Sequence, residues 1–191
     1  VFLLAFVVPL WQIIVWTTWT YAKVWRSNFI DLMMNTLTGA LFATCAVVLL
    51  AVLSARAART VSSSFGYMIS RLMTAGYAIP GPVIAIGILA VFIRLDERLS
   101  PVYVWLGRGE GALVLSLSLF MLIAGYAVRF LATGYNAIES GYEKIPRTYS
   151  EASRTLGRSS IVTFFKIEMP LLKGSLLAAF VLTFVETVKE L

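Results

Sequence analysis

The sequence predicts an all-α membrane protein, a polytopic bundle of at least five transmembrane helices, and three observations carry this prediction. Of its 191 residues, 59% are apolar and only 14% are charged, whereas soluble domains have about 45–50% apolar and about 25% charged residues. The mean hydropathy is +0.84. Five apolar segments approach or exceed the roughly 18–20 residues that a helix needs to cross about 30 Å of hydrocarbon.

The five apolar segments are expected to be helical. They are too long for barrel strands, and backbone groups in lipid must find their hydrogen bonds within the segment. The predicted spans are Phe2–Tyr21, Thr36–Ala55, Leu72–Ile93, Ala112–Ala132 and Leu171–Val188. We expect residues 1–191 to be one transmembrane domain, truncated at both ends from a longer polypeptide, because the sequence opens inside an apolar run.

The charges between the predicted spans indicate an orientation in the membrane. Segments 56–71 and 133–170 together carry eight Lys and Arg residues, against five in segments 22–35 and 94–111. The positive-inside rule therefore places segments 56–71 and 133–170 in the cytoplasm. The net charge of +6 arises at the surface of the lipid bilayer and does not indicate a nucleic-acid partner.

Residue types that several chemistries require are missing. The sequence has no histidine and a single cysteine, Cys45, which excludes a disulfide framework and makes a His/Cys metal site implausible. An intramembrane enzyme would need a His, Asp or Ser/Lys constellation at membrane depth. A secondary transporter driven by ion gradients would favour carboxylates in mid-span. The centres of the predicted spans hold neither pattern.

The third predicted span contains a cluster of helix breakers, Ala78-Ile79-Pro80-Gly81-Pro82. Proline in a helix interior removes a hydrogen bond and clashes with the preceding turn. One interpretation is a simple kink. The other is a broken helix along a transport pathway, a recurrent feature of transporters, with Tyr77, Pro80 and Gly81 as candidate pathway residues. Gly76 and Gly87 are expected to allow close packing of neighbouring helices.

Ionisable residues at the ends of spans also allow two interpretations. Glu186, Lys189 and Glu190 share one helical face at the end of the fifth span. They form either an interfacial cluster or a gate in which Glu186 contacts the substrate. Arg129 is predicted at the cytoplasmic end of the fourth span, where its side chain can snorkel to the interface.

The polar run between the last two spans has the pattern of two short helices joined by a turn. Thr148 and Glu151 have the spacing of a capping box, in which Thr148 is the N-cap. Gly157 stands where a helix usually ends in a left-handed residue. Ser159 or Ser160 can cap the second helix.

The first of these short helices is predicted to be amphipathic. Tyr149, Ala152 and Leu156 lie on one face, and Arg154 and Arg158 line the other side. A solvated loop would explain the charges, but it would not explain two capped helices around a glycine. The pattern therefore predicts a docking element.

This run resembles the EAA loop of permease subunits from importers of the ATP-binding-cassette (ABC) class. The family pattern is Glu-Ala-Ala, three residues, Gly, nine residues, Ile, one residue and Leu-Pro. The chain has Glu151-Ala152-Ser153, then Gly157, Ile167 and Met169-Pro170 at this spacing, so Ser153 and Met169 are the departures. The resemblance assigns ATPase coupling to Glu151, Ala152, Ser153, Arg154, Leu156, Gly157, Ile167 and Pro170.

The resemblance covers most of the chain. Residues 76–81, 127–132 and 188–191 are similar to the C-terminal half of ferric-iron uptake permeases, which contain two fused six-helix units. It implies the MetI-like permease fold, a chain cut before its final helix, and ferric iron as the substrate. Related permeases serve thiamine, polyamine and phosphonate importers, so these substrates stay open.

The resemblance also implies the partners. They are a cytoplasmic ABC ATPase dimer that binds ATP and Mg²⁺, a second permease half or subunit, and a periplasmic binding protein, all at the bacterial inner membrane. The chain itself is expected to bind no cofactor or metal and to catalyse no reaction. In agreement, the sequence contains no G-x-x-x-x-G-K-[ST] phosphate-binding loop.

Overall fold

A computed structural model describes residues 2–25, 29–61, 63–109 and 111–190. Within these residues the chain is helical and contains no strand. The helices are α1 (Val8–Val24), α2 (Phe29–Thr60), α3 (Ser63–Ala75), α4 (Gly81–Trp105), α5 (Leu119–Glu143), α6 (Arg147–Thr155), α7 (Ser160–Thr163), α8 (Met169–Leu171) and α9 (Lys173–Glu190). Turns of other helical types are the π-helical Leu3–Val7 and Phe164–Glu168 and the 3₁₀ turn Gly76–Ala78.

The prediction of at least five spans is not confirmed. Two helices of the described residues are long and apolar enough to cross a membrane, Leu3–Tyr21 and Phe29–Thr60. Two further candidates are bent helix pairs, Ser64–Ala78 with Gly81–Trp105 at 109° and Ser160–Leu171 with Lys173–Glu190 at 72°. The count is therefore two, or four if each bent pair is one span.

The chain divides into two compact units, one up to Thr38 and one from Gly39 onward. In the first unit, none of the apolar window of Leu3–Tyr21 is buried. Trp11 and Trp19 are among its exposed side chains. A helix that is largely apolar and unburied has the properties of a membrane span.

The core of the second unit forms where α5 packs against α9 and α2. Tyr135, Ile138 and Tyr142 of α5 are buried at helical spacing, and they pack against small residues of α2 and against Leu172 and Ala179. This apolar face keeps the chain helical to Glu143. The predicted loop 133–170 is therefore wrong for its first residues, because polar residues on the other face concealed the continuing helix.

The third predicted span is broken, and the interpretation as a simple kink is wrong. Pro80 has an extended ψ of 137° and is the N-cap of α4, with Pro82 in the first turn. Proline is well placed there because the first amides of a helix have no partner within it. The predicted close packing is present at Gly76, since a side chain there would collide with the carbonyl of Val128 in α5. It is wrong at Gly87, where a side chain would meet no described atom within 4 Å.

The fourth predicted span is wrong in its first turns, since α5 begins only at Leu119. The loop predicted at 94–111 is also wrong, because α4 stays helical to Trp105. Asp96 of α4 is 2% exposed and accepts hydrogen bonds from the amides of Leu115, at 2.9 Å, and Ser116, at 2.8 Å. These bonds hold the connecting segment in a non-helical path.

Candidate functional site

The first helix of the polar run, α6, begins differently from the prediction. Its N-cap is Pro146, with a ψ of 137°, and no side chain caps it. Thr148 lies inside the first turn, so the predicted capping box with Glu151 is wrong. The fixed φ of proline starts the helix here, a signal that the Thr–Glu spacing obscured.

The end of α6 has the geometry that its glycine predicts. Gly157 has a φ of +78°, in the left-handed region that glycine adopts without a Cβ penalty. Its amide donates to the carbonyl of Arg154 at 3.0 Å, and the amide of Arg158 donates to the carbonyl of Ser153 at 3.2 Å. This pair of bonds is the Schellman motif. Ser159 then caps α7 by accepting from the amide of Val162 at 3.3 Å.

Buried polar contacts fix α6 on the segment that follows it. The hydroxyls of Ser153 and Thr163 are 2.9 Å apart, which gives Ser153 a structural role at its departure from the family pattern. Glu168 is 6% exposed and accepts from the hydroxyls of Ser150, at 2.8 Å, and Tyr142, at 3.0 Å. Burial and the adjacent carboxylate raise the pKa of the Tyr142 phenol, so it stays protonated and donates.

The opposite face of α6 is exposed. Leu156, the C-cap residue, is 82% exposed and Tyr149 is 51% exposed. The remaining residues assigned to coupling differ in exposure. Exposed are Glu151, Ala152, Arg154, Gly157 and Pro170, whereas Ser153 is buried and Ile167 is half-buried.

A second candidate site lies at the break between α3 and α4. The break, α5 and the end of α9 enclose a cavity of about 510 Å³. All four residues predicted for the pathway line it: Tyr77, Pro80, Gly81 and Glu186. Charged residues with opposite signs share its wall.

Arg129 lines this cavity, and its position at the cytoplasmic end of a span stays a prediction. Its guanidinium pairs with Glu190 at 2.7 Å and rests where a side chain on Gly81 would stand. Because α5 continues to Glu143, Arg129 is about 21 Å along the helix from its end, at 1.5 Å per residue. Its Nε is buried and has no hydrogen-bond partner among the described residues.

The second ion pair of the cavity joins residues that the sequence placed on one face of α9. Lys189 contacts Glu186 at 3.4 Å, and both side chains are substantially exposed. The cavity thus holds two positive and two negative side chains.

Comparison with known families identifies the protein class. Residues 47–191, about three quarters of the chain, match the model of the binding-protein-dependent transport system inner membrane component family. The chain belongs to this family. Members of the family are inner membrane components of binding-protein-dependent transport systems, so the chain is an integral membrane protein of the permease type.

A curated relative of the permease is the molybdate/tungstate transport system permease protein WtpB of Methanocaldococcus jannaschii. The two are 36% identical over 55 residues, which is 29% of this chain. The matched segment covers 22% of the relative's length.

Several residues that organise the permease were missed from its sequence. Arg56 and Arg59 were counted only among the charges of segment 56–71, and Glu168 and Asp96 were given no structural role. Each is half-buried or buried and bonded across the fold. The neighbours of Glu168 in the sequence, Ile167 and Met169, gave no sign of its hydrogen bonds. Its partners lie 18 and 26 positions away.

Proposed function

We propose that this permease couples ATP hydrolysis in a separate cytoplasmic ATPase dimer to solute movement across the bacterial inner membrane. The observation that carries the proposal is the short helix α6. Buried hydrogen bonds fix one side of it to the following segment, and Tyr149 and the C-cap residue Leu156 are exposed. A second permease half or subunit completes the pathway, and an external binding protein delivers the solute.

The coupling step requires only mechanical contact from this chain. ATP and Mg²⁺ bind the ATPase subunits, and closure of that dimer displaces α6. Because Ser153 and Glu168 tie α6 to the neighbouring segment, the displacement reaches the membrane helices. The cavity at the broken span is where we place the solute during passage.

Truncation of Leu156 tests the docking surface. Burying a leucine side chain contributes about 1.5–3 kcal/mol, so Leu156→Ala is expected to weaken ATPase binding by about tenfold or more. Glu151→Ala is the matched control. An exposed ion pair contributes about 0.2–1 kcal/mol, so at most a fewfold change is expected. Titration of the ATPase onto the permease in nanodiscs gives both affinities, and equal affinities for Leu156→Ala and the wild type would contradict the proposal.

The substrate we propose first is a tetrahedral oxyanion such as molybdate. The name of the curated relative supports it. Arg129 also offers a guanidinium, whose planar fork of N–H donors can bind two oxygen atoms of an oxyanion. Ferric iron, the substrate that the sequence resemblance favours, finds no support in the comparisons. The carboxylates of Glu186 and Glu190 keep it as the second candidate, because hard cations prefer oxygen ligands.

Charge-removing substitutions in the cavity separate these substrates. For an oxyanion, Glu190→Gln frees Arg129 from its competing carboxylate and is expected to lower the KM for molybdate uptake severalfold. Arg129→Gln should abolish uptake. For ferric iron, Glu190→Gln and Glu186→Gln are both expected to reduce uptake. The assay measures uptake of labelled molybdate and of labelled ferric ion into proteoliposomes that hold the complete transporter. If neither Arg129→Gln nor Glu190→Gln changes the KM for molybdate, this oxyanion site is excluded.

A further inference from the structure

Two arginines near the C-terminal end of α2, Arg56 and Arg59, reach both ends of the segment that carries α6. Arg59 donates to the carbonyls of Tyr142, at 2.6 Å, and Ile145, at 2.5 Å, immediately before α6. Arg56 donates to the carbonyl of Ser160, at 2.6 Å, and to its hydroxyl, at 2.9 Å, immediately after α6. The pair therefore brackets the docking helix.

Aromatic rings hold both guanidinium groups in place. Arg56 lies over the ring of Phe164 at 4.2 Å, and Arg59 lies over the ring of Tyr142 at 4.9 Å. Stacking and two bonds to each guanidinium fix its plane, which a lysine could not reproduce. Both arginines are half-buried, so solvent screening is reduced.

These contacts matter because α2 has no direct chain connection to α6. The segments that flank α6 run into α5 on one side and toward α9 on the other. The face of α2 that packs in the core is built mainly of small side chains, among them Ala51 and Ala55. The arginine side chains add directional hydrogen bonds from α2 to the segments on both sides of α6.

We propose that Arg56 and Arg59 are positioning residues that form a latch, through which movement of α6 is transmitted to α2. The proposal rests on the proposed function, since it assumes that an ATPase moves α6. A displacement of α6 in either direction pulls on one of the two arginines. With the latch intact, α2 moves together with α6. Without it, the ATPase works while α2 stays behind.

The chain offers its own reporter for this test. Cys45 is the single cysteine of the sequence, and it is exposed on α2. A spin label at Cys45, in the full chain assembled with its ATPase in nanodiscs, reports the accessibility of α2 to lipid-soluble oxygen and to an aqueous relaxation agent. The measurement compares the nucleotide-free complex with the complex trapped by ATP and vanadate, and it needs no transported solute.

The variants are Arg56→Gln, Arg59→Gln and the double substitution, with Arg59→Lys as the conservative change. Arg71→Gln is the matched control, because the described contacts of the Arg71 side chain are a hydrogen bond to Tyr67 and stacking on its ring, both within one helix. We expect a nucleotide-dependent accessibility change in the wild type and in Arg71→Gln. We expect its loss in the double variant, with ATP hydrolysis within twofold of the wild type, and a partial loss in Arg59→Lys and each single Gln variant.

Two results would overturn the latch. One is a wild-type label that does not respond to nucleotide although the ATPase is bound. The other is a double variant whose label shows the same nucleotide-dependent accessibility change as the wild type. If the double variant is not produced, the same result in each single variant overturns the latch. Failure of the wild-type chain to bind any ATPase would instead contradict the proposed function.

Discussion

Replacing Gly157 with valine is expected to abolish substrate-stimulated ATP hydrolysis by the assembled transporter while leaving membrane insertion intact. At a φ of +78°, an L-residue pays roughly 1–2 kcal/mol, and a β-branched side chain pays more. To escape the strain, the chain must give up the Schellman bonds from Gly157 and Arg158. Leu156 would then leave its docking position.

Two controls separate this effect from general backbone strain. Gly157→Asn should retain much of the coupling, because asparagine tolerates the left-handed region. Gly107→Val introduces the same strain at a φ of +77°, in the connector after α4, and should leave ATPase binding unchanged. Normal stimulated hydrolysis in Gly157→Val would sink the assignment of α6 as the coupling helix.

Replacing Asp96 with alanine is expected to cause the largest loss of stability. Its carboxylate accepts four hydrogen bonds, from the hydroxyls of Tyr103 and Ser116 and from the amides of Leu115 and Ser116. Each buried donor left without a partner costs about 1–3 kcal/mol. The expected result is a loss of several kcal/mol and a large fall in the thermal unfolding midpoint in detergent.

The neighbouring Glu97 provides the control for Asp96, because it is exposed and accepts no bond of this kind among the described residues. Glu97→Ala should change the midpoint little. Ser116→Ala, which removes one of the four bonds, should fall between the two. If Asp96→Ala unfolds at the same temperature as Glu97→Ala, the carboxylate does not hold the connector between α4 and α5.

The features predicted well from the sequence are those that neighbouring residues encode. Gly157 adopts a positive φ because its helix needs a left-handed residue to end, and that requirement is visible in the local pattern. Ser159 caps α7 for the same reason. The cluster at Pro80 correctly predicted a break in the helix. The bend angle of 109° between the two helices is larger than that of a simple kink.

The ends of helices were predicted poorly, and the errors share one cause. Hydropathy measures the transfer of a segment into lipid, so it ends a span where polar residues begin. Helix α5 continues to Glu143 because Tyr135 and Tyr142 are buried against other helices, a contact that hydropathy does not register. Helix α4 likewise continues through its charged residues, with Asp96 satisfied by the connector.

The sequence by itself determined the class of protein, since apolar length requires helices in a membrane and the spacing from Glu151 to Pro170 matches the permease pattern. Only the tertiary structure decided which residues form the ion pairs and hydrogen bonds between helices. Arg129 finds Glu190 across 61 positions, and Arg56 finds Ser160 across 104. The physical reason is that hydrogen bonds and ion pairs depend on distance in space, whereas a sequence pattern records only the neighbours along one helix.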